Sequence, residues 1–141
     1  MKYIKLFESF GGLDNIVNDG QYFLSLEDDG FFIEIYDKDA GKKSGIQSNI
    51  MIYKPINGRK TQYNDGLIEF DYNEIRDELL RFIELSDKDI HYIYANTNIG
   101  SGELMLYDPN NKTRLKCKGD IFDDTYEVGP ITRLTIVYGL N

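Results

Sequence analysis

The chain has 141 residues, 41% of them hydrophobic, and a formal net charge of −8. That is enough to bury one core, and too acidic for an ordinary nucleic-acid binder, which needs clustered Lys and Arg to reach phosphates. One cysteine, Cys117, excludes an internal disulfide, and no apolar run reaches the ~18 residues that span a bilayer. The N-terminus lacks an uninterrupted apolar stretch of the secretory kind, so a soluble, intracellular protein without membrane association is expected. Alanine occurs only at Ala40 and Ala95, while Ile, Asn, Asp and Tyr are abundant, the bias of an AT-rich coding sequence.

In chain order, Tyr3, Leu6, Phe7 and Phe10 fall at helical spacing and Gly11-Gly12 ends the segment, which reads as a helical leader over residues 1–12 ahead of one domain over 13–141. Leu13, Ile16 and Val17 make a further helical turn. Tyr22 to Glu27 and Phe31 to Asp37 read as a strand pair joined by Asp29-Gly30, with Leu26 opposite Ile33 and Leu24 opposite Ile35. A polar loop follows, then a strand from Ile50 to Lys54, stopped by Pro55. Asn57-Gly58 suggests a hairpin turn with a return strand over Arg59 to Tyr63. Leu67 to Phe70 is a short strand that feeds a helix.

That helix, Asp71 to Ser86, is the longest the chain can make. Tyr72, Ile75, Leu79, Phe82 and Ile83 form one apolar stripe, whose burial is worth roughly 7–15 kcal/mol before ordering entropy is subtracted. Asp71 and Glu74 fit a capping box, and Asp77 precedes Arg81 by four, the favourable orientation for an ion pair. After it, Ile90 to Ala95 alternates Ile90, Tyr92 and Tyr94 against His91, Ile93 and Ala95. Glu103 to Tyr107 and Thr113 to Lys118 read as strands on either side of an Asp108-Pro109 turn. Gly119 to Pro130 is acidic and irregular. Ile131 to Tyr138 is apolar on both faces and so belongs inside the sheet. Strands on both sides of one long helix over 71–86 predict an α+β fold, a mostly antiparallel sheet with the helix on one face and a short N-terminal helical segment.

Sites for chemistry are sparse. Gly41-Lys42-Lys43-Ser44 lacks the first glycine of a phosphate-binding loop, since Tyr36 stands there, and has Lys43 where Ser or Thr is required. Asn98 to Gly102 can approach an anion but precedes a strand rather than a helix. His91 is the only histidine, with no partner at a fixed spacing. Cys117 has no surrounding motif. Asp37-x-Asp39-x-Gly41 misses the spacing of a calcium loop, the carboxylates from Asp120 to Glu127 could hold a hard cation only loosely and read first as a solvated acidic loop, and zinc needs more Cys and His than the chain has. No metal, cofactor or catalytic residue is specified.

Met1 to Phe10, MKYIKLFESF, resembles the leader carried by many small proteins of large tailed bacteriophages. The resemblance covers about ten residues. It implies targeting into the forming head, where a maturation protease cuts after a triplet of Leu or Ile, any residue, and Glu. Leu6-Phe7-Glu8 matches that triplet, which implies a cut between Glu8 and Ser9. The expectation is therefore a small, non-enzymatic phage protein, in the host cytoplasm or the virion interior, that binds another protein. Its contact surface is expected to be a Tyr-rich sheet face or edge, for example that of Tyr92 and Tyr94 or that of Phe32 and Tyr36. One alternative is a nucleotide-like ligand binder or small enzyme, using Lys42, Lys43, Ser44, Gly100, Ser101 and Gly102 as ligand loops. Another is an acidic DNA mimic. Oligomeric state is not legible.

Overall fold

The computed structural model describes residues 21–39, 46–56, 66–86, 88–97 and 102–139. Among the described residues there are seven strands: β1 (Phe32–Asp39), β2 (Ile46–Tyr53), β3 (Phe70–Asp71), β4 (Asp89–Asn96), β5 (Glu103–Tyr107), β6 (Pro130–Ile131) and β7 (Arg133–Gly139). Five of them form one sheet in the order β1-β2-β7-β4-β5, and every neighbouring pair is antiparallel. The last strand, β7, lies at the centre, and its residues Leu134 to Tyr138 are all buried, as a strand apolar on both faces requires. β3 and β6 make a separate two-residue pairing, Phe70 opposite Ile131 and Asp71 opposite Pro130.

The fold is mostly antiparallel sheet with few helices, and the expected helix over 71–86 is divided. A 3-10 turn, Tyr72–Glu74, comes first, and α1 (Arg76–Leu85) follows. Asp71 Oδ1 accepts from the Asn73 amide and Glu74 Oε2 accepts from the Asp71 amide, each at 3.0 Å, so the capping box closes on the 3-10 turn. Ile75 sits at the join with φ −120° and ψ 0°, outside the helical region, which is why the two pieces do not merge. The apolar stripe nevertheless faces inward as its spacing requires. Tyr72, Ile75, Leu79 and Phe82 are buried and Ile83 packs beside them.

The stripe rests on one face of the sheet. Two rows cross the strands beneath it. Ile33, Ile52, Leu134, Ala95 and Leu104 are successive partners, and so are Ile35, Ile50, Ile136 and Ile93. Phe82 joins helix to sheet, with its ring 5.8 Å from Tyr138 in an edge contact. Phe23 and Tyr22 close on it from the other side, each at 5.6 Å. Phe31 and Phe70 meet edge to face at 4.9 Å, in the range such pairs prefer.

Three expected strands are corrected. Leu24–Asp29 is a 3-10 helix, not a strand paired to β1. Gly30, at φ 91°, ends it, with its amide directed at the carbonyls of Glu27 and Leu26. The positive φ that a hairpin turn asks of glycine serves equally as a helix stop. The true partner of β1 is β2, so Ile33 faces Ile52 rather than Leu26. Thr113 to Lys118 is irregular, because Asp108 captures the chain before a strand can start. Its carboxylate accepts from the Lys112 amide at 2.8 Å, the Thr113 amide at 3.1 Å and the Thr113 hydroxyl at 3.0 Å. Leu67 only bridges Pro55, and the strand expected from it shrinks to Phe70 and Asp71. The leader with Glu8 and Ser9, the residues 42–44 and 100–101, and the return strand at 59–63 lie outside the described residues.

β4 differs in phase from expectation. Ile90 is opposite Tyr138 while Tyr92 is opposite Val137, so the register shifts at His91. This extra residue is a β-bulge. It returns Ile90 to the core face with Ile93 and Ala95 and leaves Tyr92 and Tyr94 on the other face.

Candidate interaction surface

The face of the sheet turned away from α1 is also organised in rows. Phe32, Tyr53, Arg133, Asn96 and Glu103 are successive partners across all five strands. Glu34, Met51, Thr135, Tyr94 and Met105 form the next row. The register then aligns positions 36, 49, 137 and 92. Three of the expected contact residues, Phe32, Tyr92 and Tyr94, thus lie on this one face, and position 36 is in phase with them by backbone register alone. They do not form one tight cluster. β1 and β4 are three strand spacings apart, about 14 Å.

Two aromatic groups result. On the β1 side, Phe32 stacks on Tyr53 with ring centres 5.6 Å apart, and the Arg133 guanidinium lies over the Tyr53 ring at 5.2 Å. Tyr53 donates its hydroxyl to Glu34. Tyr53 is fully buried, whereas Phe32, Glu34 and Arg133 remain partly exposed. On the β4 side, Tyr92 and Tyr94 lie 6.0 Å apart and are both partly exposed. Burial first, then the neighbouring Tyr94, Glu103 and Asp108, raises the Tyr92 phenol above its ordinary value, so it stays neutral and a donor at physiological pH. Between the groups, Thr135 and Val137 are buried, and the Thr135 hydroxyl has no hydrogen-bond partner among the described residues.

Tyr53 and Arg133 were not singled out from sequence. The only signal available was that each falls in phase with Phe32 on a face that already needed a polar rim, which requires the pairing order to be known.

The remaining candidates do not converge. His91 stands in the bulge with Nε2 3.5 Å from Asp89 Oδ2. Cys117 is free and exposed; burial of its thiol and the nearby Asp108 charge raise its pKa, the opposite of an activated nucleophile. Gly102, the one described member of the suggested ligand loops, accepts from the Thr97 amide at 3.0 Å and from the Thr97 hydroxyl at 3.3 Å. A shallow depression of about 260 Å³ is lined by Glu69, Phe70, Asp71, Glu74, Gly129 and Pro130. Two of its carboxylates, Asp71 and Glu74, are taken up in capping. Among the described residues no group of three His, Cys, Asp or Glu is arranged to hold a metal, and no helix is long and apolar enough to cross a membrane.

Comparison with protein families, with curated protein sequences and with solved structures found no match. The reading of function rests on the residues alone.

Proposed function

We propose that this is a bacteriophage protein without catalytic activity, acting in the host cytoplasm or the virion interior, and that it binds another protein through the sheet face opposite α1. The observation that carries the reading is that Phe32 on β1 and Tyr92 and Tyr94 on β4, all partly exposed, lie on either side of the buried Thr135 and Val137, on the face that the helix leaves to other contacts. Tyrosine and phenylalanine supply large contact area at small entropic cost, and Arg133 and Glu34 add a polar component of the kind interfaces enrich or place at the rim. The phage assignment is supported by the leader resemblance at Met1 to Phe10 and by the AT-rich composition.

The test pairs two measurements. Affinity purification from phage-infected cells compares wild type with Phe32→Ser; a co-purifying protein that is lost with the variant supports the face, and equal recovery removes the β1 side from it. Intact-mass analysis of the protein from purified virions reads the leader. A chain beginning at Ser9 supports head targeting and cleavage after Glu8, and absence from virions turns the reading to the infected cytoplasm.

A further inference from the structure

We infer that β5 is a self-pairing edge, through which two copies of this chain join their sheets. The phase of the β4-β5 ladder follows from one hydrogen bond. The Thr97 amide donates to the Gly102 carbonyl at 3.0 Å, so residues 97 and 102 turn their backbone groups toward each other, and by alternation Ala95 and Leu104 do the same. Asn96 turns its carbonyl the other way, toward the Thr132 amide at 2.9 Å. The amides and carbonyls of Glu103 and Met105 therefore point away from β4, and among the described residues β5 is the last strand on that side of the sheet.

The two edges of the sheet differ in how they resist pairing. β1 reads Phe-Ile-Glu-Ile-Tyr-Asp-Lys-Asp, four charged residues in eight, a composition of the kind that guards edge strands. β5 reads Glu-Leu-Met-Leu-Tyr, with one charge and neither lysine nor proline. It is the less guarded edge.

A second copy is the occupant that fits, because the free groups are self-complementary. In an antiparallel arrangement about a two-fold axis through Leu104, Glu103 pairs with the partner's Met105 and Met105 with the partner's Glu103. Each pair exchanges two backbone bonds, and the arrangement closes as a dimer. The one charge of each strand then faces a methionine rather than its own copy. Leu104, partly exposed on the helix side of the sheet, meets Leu104 of the partner subunit in a close, non-hydrogen-bonded pair. The bulge near Leu106 lies beyond this stretch, between the positions that face Ile93 and Tyr94.

The test is the mass of the full chain by light scattering or sedimentation over a rising concentration series. The mass is expected to climb from 16.3 kDa toward twice that value. Glu103→Pro removes an outward amide that has no partner among the described residues of the single copy, and is expected to stay at the single-chain mass with an unchanged far-ultraviolet spectrum. Leu104→Arg sets two like charges against each other on the axis and is expected to do the same, which keeps the test readable should the proline variant fail to fold. A wild-type chain that remains at 16.3 kDa throughout, or variants that fold and associate as wild type does, overturn the inference.

Discussion

Arg76, the first residue of α1, reaches across to Asp124, with Nη2 3.0 Å from Oδ1, and donates from the same nitrogen to the Ile121 carbonyl at 3.2 Å. One guanidinium thus holds the acidic segment after Lys118 against the helix, with Ile121 buried beneath it. Asp124 is almost fully exposed, so water screens most of its charge and the ion pair itself contributes little. The carbonyl bond and the packing of the arginine stem contribute more. Arg76→Ala is expected to lower stability by about 1–2 kcal/mol, and Asp124→Ala by less than about 0.5 kcal/mol. Urea denaturation checks the ordering; equal losses would mean the ion pair dominates.

Two buried hydroxyls are candidates for stabilising replacements. Thr135 Oγ1 in the middle of β7 and the Tyr72 hydroxyl have no hydrogen-bond partner among the described residues, and burial pushes the Tyr72 phenol up to about 12. An unsatisfied buried polar group costs about 1–3 kcal/mol. Thr135→Val and Tyr72→Phe keep shape and remove that cost, so each is expected to raise stability by about 1 kcal/mol. Thermal unfolding reads the effect, and a loss in either variant would show that its hydroxyl is hydrogen-bonded after all.

Gly119 has no room for a side chain, because a Cβ there overlaps the ring of Tyr126. Gly119→Ala is expected to destabilise by about 1–3 kcal/mol, as overpacking does. The loss should be recovered in part when Tyr126→Ala is added, since the clash then disappears. A double-variant cycle tests this coupling, and strict additivity would place the strain elsewhere.

Asp108 makes the turn after β5 sensitive to acid. Burial opposes its ionisation, but the amides of Lys112 and Thr113, the Thr113 hydroxyl and the Lys112 charge hold its carboxyl below its ordinary value. A carboxylate whose folded pKa is depressed stabilises the protein above the unfolded pKa, and that contribution is lost as pH falls through the folded value. Asp108→Asn is expected to lower stability at neutral pH and to flatten the acid limb of the stability curve. Denaturation midpoints of both proteins across the acid range test it, and parallel curves would contradict it.

Much of the core was legible before the strands were. Tyr72, Ile75, Leu79 and Phe82 face inward because helical spacing survives the break at Ile75, and a central β7 follows from apolar residues on both its faces. Leu26, Phe31 and Ile33 reach the core although the pairing drawn for Leu26 is absent: at three residues per turn the 3-10 helix buries Leu26 in phase with Phe23, and Leu24, expected on the same face, is left only partly buried. The pairing order itself depends on contacts far apart in sequence, β7 entering between β2 and β4, and no local pattern specifies it. The bulge at His91 shows the same limit at the candidate surface. Period-two counting groups Ile90 with Tyr92 and Tyr94, and only the pairing of Ile90 with Tyr138 and Tyr92 with Val137 separates them.

Quantitative co-purification from phage-infected cells, comparing wild type with a Tyr92→Ser/Tyr94→Ser double variant of matched unfolding midpoint, tests most directly whether the face opposite α1 binds a protein. The protein enriched by wild type is expected to fall to background with the variant. Recovery at the wild-type level from a folded variant contradicts the use of that face.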